Sequence, residues 1–351
     1  MTARLARALA VVTLAAAYAA CYGRDGTPAA AVQVDLTGAG ATFPFPVIRD
    51  WIAEYASREG VRVNYMSVGS AEGLRLVAAG DVDFGTSDFE PTQSARGGAA
   101  CGPVSVPILV GAIAVVYHLP GLGDGVRLNR STLKEIFDGR IRQWNAPAIA
   151  RLNPAVRLPP MPITVVYRGA GSATGRLFAH FLSGNDGLAD TVSADPVWRV
   201  GIAAEGNEGV AVQVQQTVGA IGYTELAYAA PNGLSLALIE NAMGEYARPS
   251  AATINATVAA AFRGRTDAHG TSLISLREPG TYPLAAITWL TLDPARLGPD
   301  RGRQVRAFAQ WAMRDGAAAA RRLEAAPLPS NVVAHYDSLL SALSFAPCPA
   351  A

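Results

Sequence analysis

Strand-like and helix-like segments alternate from the first predicted strand onward, and this rhythm constrains the fold more than any other feature. A strand that ends at Leu36 is followed by apolar residues at helical spacing over 47–55. Residues 61–65 alternate as a strand does, 74–78 favour a short helix, and 82–85 favour a buried strand. This β-α-β-α-β order predicts an α/β fold with a largely parallel sheet.

Two longer apolar segments, 104–117 and 282–292, are typical of central strands that could also cross between two units of the fold. Between them lies a second α/β unit, with a helix around 133–137 and a strand at 163–167. The apolar spacing then becomes helical after residue 292. At 351 residues with 50% apolar content, the chain is long enough for two compact domains or for one large one.

The N-terminal segment is typical of an export signal. Arg4 and Arg7 precede an apolar run over 8–20, which is too short to span a bilayer comfortably. We therefore predict a signal peptide over 1–21 and a polar, Ala-rich linker over 22–32. The mature protein is expected to lie outside the cytoplasm.

The end of this segment leaves two processing routes open. Cys21 lies in a context similar to a lipobox, whose cysteine is lipidated after cleavage, but Tyr18 stands where that pattern usually has Leu. Ordinary cleavage near Ala20 is the alternative. The mature protein is then either anchored to the membrane through Cys21 or free.

Charge and cysteine content narrow the possible partners. With 16% charged residues and a formal net charge of +1, the chain has no global field that would attract nucleic acid or an anionic membrane. Cys101 and Cys348 form a disulfide or remain two thiols in an oxidising compartment. The four histidines are scattered and no cysteine has metal-ligand spacing, so we expect no metal site and no cofactor.

The most informative motif is the loop over 168–174. Arg168 is followed by small and hydroxyl-bearing residues, and then by an apolar stripe at helical spacing that begins at Leu177. Ser172 is the predicted N-cap of that helix. The loop brings backbone N–H groups, the hydroxyls of Ser172 and Thr174, and a guanidinium to one place. This combination is typical of a binding site for a multiply charged oxyanion.

Two earlier loops have a similar character. The loop over 38–44 has glycines that permit close approach to a ligand, and Thr42 and Phe43 offer N–H groups at the predicted helix start. The loop over 68–73 ends at another helix start, with Ser70 as the predicted cap. Taken separately, each loop is also typical of an ordinary strand-to-helix turn.

Asp88 closes the segment 83–88 at the exit of a predicted strand. Taken separately, it is typical of a cap for the next turn. The carboxyl ends of parallel strands, however, are where open α/β sheets bind ligands, which would place Asp88 beside the anion-attracting loops. A carboxylate is useful in an anion site when the ligand carries a proton to donate to it.

A series of short motifs carries a resemblance to a known family. In chain order they are Leu-Thr-Gly-Ala-Gly-Ala-Thr-Phe-Pro over 36–44, Asn-Tyr followed by Val-Gly-Ser over 64–70, Val-Asp-Phe-Gly-Thr-Ser-Asp over 82–88, Ile-Phe-Asp-Gly over 136–139 with Trp144, the Arg168 loop, and Gly-Ala-Ile-Gly-Tyr over 219–223. Over residues 35–345 the chain resembles the periplasmic phosphate-binding protein of bacterial phosphate ABC transporters, the PstS family.

This resemblance implies a two-domain periplasmic-binding-protein fold of type II, α/β with mixed, mainly parallel sheets and a ligand cleft between the domains. Domain I would comprise 33–111 with 285–346, and domain II would comprise 112–284. Hinge closure would enclose inorganic phosphate, and a membrane permease would recognise the closed form. The resemblance implies no catalysis, and we expect a monomer.

The family's ligand contacts fall on eight positions of this sequence: Thr42, Phe43, Ser70, Asp88, Arg168, Ser172, Ala173 and Thr174. The resemblance implies that Asp88 accepts the proton of bound phosphate, while the others donate from N–H, hydroxyl or guanidinium groups. Sulfate has no proton at neutral pH, so we expect a buried carboxylate to reject it. Arsenate keeps the proton and should be discriminated less.

The sequence departs from the family pattern near the loop arginine. The family commonly has Asp where this chain has Ala170, so we expect Arg168 to have a different anchor or a looser side chain. Glu72 is one candidate anchor, and the alternative is that it is an exposed acid in the first turn of its helix. Ala173 replaces the usual Gly, which matters little provided that its φ is negative. We hypothesise that phosphate still binds, with a shifted affinity or salt dependence.

Other functions stay open from the sequence. An enzyme acting on phosphate esters shares the parts of an anion site, but it needs a nucleophile with a base or a metal cluster, and no such pattern is visible. A binder of another tetrahedral oxyanion, or a lipoprotein concerned mainly with phosphate signalling, is the remaining alternative. The response of phosphate and sulfate binding to a change at Asp88 would discriminate among them.

Overall fold

The computed structural model of the protein describes residues 36–88, 102–184 and 195–346. The predicted signal peptide, the linker and the three cysteines at 21, 101 and 348 lie outside the described residues. Lipidation and disulfide formation therefore stay predictions. Within the described ranges, no helix combines the length and the apolar character that crossing a bilayer requires.

The described ranges contain twelve strands and ten α-helices. The strands are β1 (Leu36–Gly40), β2 (Val63–Ser67), β3 (Phe84–Ser87), β4 (Val104–Tyr117), β5 (Arg127–Leu128), β6 (Thr164–Arg168), β7 (Ile202–Ala204), β8 (Ala220–Glu225), β9 (Ser235–Leu236), β10 (Leu238–Glu240), β11 (Tyr246–Ala247) and β12 (Ala285–Leu292). The helices are α1 (Phe45–Glu59), α2 (Ser70–Ala79), α3 (Arg130–Phe137), α4 (Pro147–Leu152), α5 (Ala173–Ser183), α6 (Gly206–Gln216), α7 (Ala251–Ala261), α8 (Pro294–Arg314), α9 (Ala317–Arg322) and α10 (Ser330–Ala342).

A mixed sheet organises these elements in the order β2-β1-β3-β12-β4-β8-β6-β7, and β9 pairs with β4. On one side β1 is parallel to β2 and β3, and on the other side β6 is parallel to β7 and β8. In the middle, β12 is antiparallel to β3 and β4, and β4 is antiparallel to β8. The predicted α/β class is confirmed, with parallel strands on both sides of an antiparallel centre.

Strand β4 connects the two sides of the sheet. All 14 of its residues are buried, as its predominantly apolar sequence predicts for a central strand. Residues 104–112 span its pairing with β12, and residues 113–117 pair with β8. One strand therefore sets the register of both sides.

Strand β1 is described over Leu36–Gly40 and continues past Leu36, so the prediction that a strand ends there is wrong. The glycines of the predicted first loop complete β1 instead, because Gly38 lies against the ring of Phe84, where a Cβ atom would come within 2.2 Å of a ring carbon. Helix α1 begins at Phe45, so Phe43 lies in the turn before the helix rather than at its start. Glycine at position 38 is thus required by close packing against Phe84 and does not mark a turn.

Two aromatic clusters pack the helices that position the site. Tyr55 of α1 contacts Phe308 of α8, with ring centroids 5.1 Å apart. Phe178 of α5 stacks on Tyr223 of β8 at 4.1 Å and meets Phe137 of α3 edge-on at 4.8 Å. Such contacts stabilise by about 0.5–1.5 kcal/mol beyond area burial. They fix α5, and with it the loop that precedes this helix.

Candidate anion-binding site

The predicted site residues follow the carboxyl ends of the parallel strands. Thr42 lies two residues after β1, Asp88 comes directly after β3, and Arg168 is the last residue of β6. Thr42 and Arg168 line one cavity of about 700 Å³. This is the ligand position typical of open α/β sheets.

Asp88 is a buried carboxyl group, 5% exposed. The Thr288 hydroxyl on β12 donates a 2.6 Å hydrogen bond to Asp88 Oδ1, whereas Oδ2 accepts none from the described residues. Burial raises the pKa of Asp88 to about 7, against the lowering effects of the Thr288 hydrogen bond and of the Arg168 charge. Near neutral pH this group therefore gains or loses a proton readily. Asp88 lines a separate cavity of about 40 Å³, not the larger one that Thr42 and Arg168 line.

Arg168 is a buried cation with few partners. Arg168 is 6% exposed, and its Nη1 donates a hydrogen bond to Thr174 Oγ1 at 3.4 Å. The Nε atom is buried without a hydrogen-bond partner among the described residues. Burial lowers the pKa of Arg168, while nearby groups that include Glu208 and Asp88 oppose that effect. A buried guanidinium with so few partners is costly, so an anion that enters the site is stabilised.

The loop after Arg168 is fixed by Asp195. The Gly171 N–H group donates to Asp195 Oδ2 at 3.0 Å, and Arg176 Nε lies 2.7 Å from Oδ1. The hydrogen bond from Arg176 lowers the pKa of Asp195. The Gly171 carbonyl also accepts the Ala71 N–H at 3.4 Å, so this loop contacts the first turn of α2. The Asp195 carboxylate, which is distant in sequence, thus orders a loop that has Ala170 where the family commonly has Asp.

The start of α5 supplies the backbone donors that the sequence predicts. The hydroxyl of Ser172 accepts the Gly175 N–H at 3.1 Å, which confirms Ser172 as the N-cap. Ala173 and Thr174 open the helix, where the first N–H groups have no intrahelical acceptor. Ala173 has a negative φ, so the replacement of the family's usual Gly leaves its N–H group usable.

Ser70 does not cap α2, which corrects its predicted role. The helix begins at Ser70 itself, and Gly69 occupies the N-cap position with a φ of 96°. Because glycine adopts such a φ easily, the chain turns into the helix one residue earlier than predicted. The Ser70 hydroxyl instead accepts the Asp88 N–H at 3.4 Å, and Ser70 is 2% exposed. Ser70 is therefore the first residue of the helix, and its hydroxyl contacts the backbone of Asp88 rather than capping the helix.

Glu72 is not the anchor of Arg168, and the alternative prediction is confirmed. Its two carboxylate oxygens accept hydrogen bonds from Arg75 at 2.7 and 2.9 Å. Both side chains are exposed, at 44% and 58%. The hydrogen bond from Arg75 lowers the pKa of Glu72. Glu72 is thus an exposed acid in the first helical turn.

Thr42 is held by residues that the sequence did not single out. Its hydroxyl oxygen accepts the Asn207 N–H at 3.0 Å and the Asn207 Nδ2–H at 2.8 Å. Its carbonyl oxygen accepts the Tyr228 hydroxyl at 2.6 Å. The neighbouring Phe43 side chain is 1% exposed and belongs to the core, so its backbone N–H is the group it can offer to a ligand.

Residues next to the site that the sequence did not single out include Thr288, Asn207, Tyr228 and Asp195. Thr288 carried a weak signal, because a hydroxyl inside the buried strand β12 needs a hydrogen-bond partner. The others follow no local pattern, since their partners are at least 24 residues away. Among the described residues, no group of His, Cys, Asp or Glu side chains could hold a metal ion.

Comparison with known proteins assigns the chain to a family. Residues 25–315 match the model described as the PBP superfamily domain. The phosphate-binding protein PstS of Haemophilus influenzae is 36% identical over 319 residues, which span 89% of this chain and 94% of that protein. The chain belongs to the PstS family. The predicted family is therefore confirmed.

Solved structures share the fold of this PstS-family chain. A phosphate-binding protein from Stenotrophomonas maltophilia matches it with a TM-score of 0.59 and 19% identity, covering 88% of this chain and 94% of that one. An ABC-type phosphate transport receptor from Vibrio cholerae matches with a TM-score of 0.52 and 15% identity, covering 84% and 100%. The predicted periplasmic-binding-protein architecture is thereby confirmed at the level of the fold.

Proposed function

We propose that this PstS-family chain is an extracytoplasmic solute-binding protein that captures inorganic phosphate and delivers it to the permease of an ABC transporter. The names of its relatives support this, since one is a phosphate-binding protein and another an ABC-type phosphate transport receptor. The observation that carries the proposal is the pair of buried ionisable groups: Arg168, whose Nε has no hydrogen-bond partner among the described residues, and Asp88, whose Oδ2 accepts no hydrogen bond from them.

A protonated phosphate satisfies both charges at once. Its oxygens accept hydrogen bonds from Arg168, and its one proton donates to Asp88 Oδ2. Charge-assisted hydrogen bonds contribute about 1.5–3 kcal/mol each, whereas micromolar affinity needs about 8 kcal/mol in total. A few such bonds therefore suffice, and the remaining gain offsets dehydration of the anion and closure of the site.

The other predicted contacts complete the shell of donors. In the proposal, the hydroxyl groups of Thr42 and Ser70 and the N–H of Phe43 hold oxygens from one side. The start of α5 holds them from the other side, through the hydroxyl groups of Ser172 and Thr174 and the N–H groups of Ser172, Ala173 and Thr174. At a pH above the pKa of Asp88, sulfate would place lone pairs against the ionised carboxylate without a proton between them, which costs several kcal/mol.

The proposed hinge lies where β4 changes partners. Domain I would comprise 33–111 with 285–346, and domain II would comprise 112–284. The change from β12 to β8 between Ala112 and Ile113 of β4 supports that boundary. A ligand held from both sides stabilises the closed state through its higher affinity for that state. The permease would recognise this closed form.

Location and assembly are proposed from the sequence. The predicted signal peptide would direct the chain out of the cytoplasm, where Cys21 is lipidated or the mature protein is free. We propose a monomer that acts as a binding protein and carries out no reaction on phosphate esters. Mass spectrometry of the mature N-terminus distinguishes the two processing routes.

Isothermal titration calorimetry tests the proposed function directly. The mature protein, freed of bound ligand by partial unfolding and refolding, is titrated with phosphate, arsenate and sulfate at two salt concentrations. We expect micromolar or tighter phosphate binding that weakens at higher salt, slightly weaker arsenate binding, and sulfate binding at least about 100-fold weaker than phosphate. Undetectable phosphate binding, or equal binding of sulfate, would contradict the proposal.

A further inference from the structure

Asn207 is fully buried in the first turn of α6. Its carbonyl oxygen Oδ1 accepts the Glu225 N–H at 2.9 Å and the Thr224 hydroxyl at 3.3 Å. Because the Glu225 N–H can only donate, it requires an acceptor at this position, and the orientation of the side-chain amide is fixed. The donor nitrogen Nδ2 is thus directed at Thr42.

The Thr42 hydroxyl receives two hydrogen bonds from Asn207. The Nδ2–H and the backbone N–H of Asn207 lie 2.8 and 3.0 Å from Thr42 Oγ1. A hydroxyl oxygen has two acceptor positions and one donor hydrogen. Since both acceptor positions are occupied, the hydrogen of Thr42 is left to donate elsewhere, and Thr42 lines the cavity in front of Arg168.

The Thr174 hydroxyl oxygen also accepts two hydrogen bonds, through longer contacts, so its hydrogen is likewise left to donate. Its oxygen accepts from Arg168 Nη1 at 3.4 Å and from Asn207 Nδ2 at 3.5 Å. Thr174 is 1% exposed, so solvent cannot readily reverse this arrangement. One amide group therefore biases two hydroxyl groups of the candidate site towards donation.

We propose that Asn207 is a positioning residue that sets the hydrogen-bond polarity of the anion site, so that the hydroxyl groups of Thr42 and Thr174 act as donors to the ligand. The inference rests on the proposed function of the site. It leaves Asp88 as the group that accepts the ligand's proton. A hydroxyl that could rotate freely would accept that proton as well, and would weaken the distinction between protonated and unprotonated anions.

A double-mutant cycle between Asn207→Asp and Thr42→Val tests the inference. Asn207→Asp keeps the acceptor for Glu225 and Thr224 but replaces the Nδ2 donor by a carboxylate oxygen, which draws the Thr42 hydrogen away from the ligand. At mildly alkaline pH, we expect Thr42→Val to cost phosphate affinity about tenfold or more in the wild-type background and less than about twofold in the Asn207→Asp background.

The double-mutant cycle distinguishes the loss of hydroxyl positioning in Asn207→Asp from the effects of its added charge and of any change in the fold. The added negative charge repels phosphate in both backgrounds and cancels in the comparison. The affinity deficit of Asn207→Asp should shrink as the pH falls, because a protonated carboxyl group again donates to Thr42. Thermal unfolding of the four unliganded proteins checks the fold. Should Asn207→Asp not fold, Asn207→Ala replaces it, with the cost of Thr42→Val expected to fall by about threefold.

The outcomes distinguish the inference from the function on which it rests. Equal costs of Thr42→Val in both backgrounds overturn the positioning role of Asn207, while phosphate binding by the wild type still supports the proposed function. A wild-type protein that binds no phosphate overturns both.

Discussion

Asp88 and Arg168 are buried to nearly the same extent, at 5% and 6% exposure, but the fold treats the two charges differently. Asp88 receives a 2.6 Å hydrogen bond from Thr288 on a neighbouring strand, and burial places its pKa near neutrality. Among the described residues, Arg168 makes one long side-chain hydrogen bond, to Thr174 at 3.4 Å, and its Nε is unpartnered. The carboxyl group is prepared in advance, whereas the cation depends on the ligand.

This difference shows how stability and binding are divided within one site. A buried carboxyl group lowers its own cost by taking up a proton, but a guanidinium cannot lose its charge in the same way. The unliganded protein therefore bears most of the cost at Arg168. Binding of an anion removes that cost, so a change at either group affects the stability of the unliganded protein and the affinity for the anion separately.

The largest effect is expected at the cation. Arg168→Met removes the charge and keeps much of the side-chain volume, so phosphate affinity should fall by about 1000-fold or more. Because the cation is poorly paired without ligand, the unliganded variant should be more stable than the wild type, by about 1–4 kcal/mol. Calorimetric titration and chemical unfolding measure the two quantities. A loss of unliganded stability would break the comparison.

The second effect concerns selectivity at the carboxyl group. Asp88→Asn replaces the proton acceptor by an amide that can donate to an unprotonated oxyanion. We expect the ratio of phosphate to sulfate affinity to fall by about 100-fold. Parallel titrations with the two anions measure it. An unchanged ratio would show that Asp88 does not read the ligand's proton.

The third effect is on the pH dependence of unliganded stability. The pKa of Asp88 rises from 3.8 to about 7 on folding, so between these values the native state binds more protons than the unfolded state. Stability should therefore fall as the pH rises from 4 to 7, with Asp88 contributing up to about 4 kcal/mol. Glu225, whose pKa burial also raises, acts in the same direction. The slope should be shallower in Asp88→Asn, and equal slopes would contradict the assignment.

A smaller effect is expected at Thr288. Thr288→Val removes the hydrogen bond that orients Asp88 and lowers its pKa, so that pKa should rise further. Phosphate affinity should fall by about tenfold at neutral pH, while selectivity over sulfate is retained. Thr288→Ser keeps the hydroxyl and serves as the matched control. If both variants bind like the wild type, the fold does not prepare the carboxyl group through this contact.

The smallest effect is expected at Glu72. Because its carboxylate pairs with the exposed Arg75, Glu72→Gln should change phosphate affinity by less than about twofold. The titration used for Arg168→Met measures this too. A large loss would mean that Glu72 supports the cation after all, and Arg168 would then be held by the fold as Asp88 is.

Much of the fold could be predicted because its signals are local. The helical spacing over 47–55 and the apolar run over 104–117 became α1 and β4. Predictions failed where glycine has two uses. Gly38 allows close packing inside β1, and Gly69 takes the N-cap position of α2 with a positive φ, whereas the sequence pattern predicts that both lie in loops. A sequence pattern does not tell which use applies, because the neighbour that decides it lies elsewhere in the chain.

The sequence by itself determined the α/β order, the family, and the residue types of an anion site, because these depend on composition, periodicity and short motifs. Only the tertiary structure decided how those groups are prepared. It assigned Thr288 to Asp88, Asp195 to the Arg168 loop and Asn207 to Thr42, across 24 to 200 positions of sequence. Hydrogen bonds act over about 3 Å in space, so the partner that fixes a proton or a hydroxyl depends on the fold that brings distant residues together.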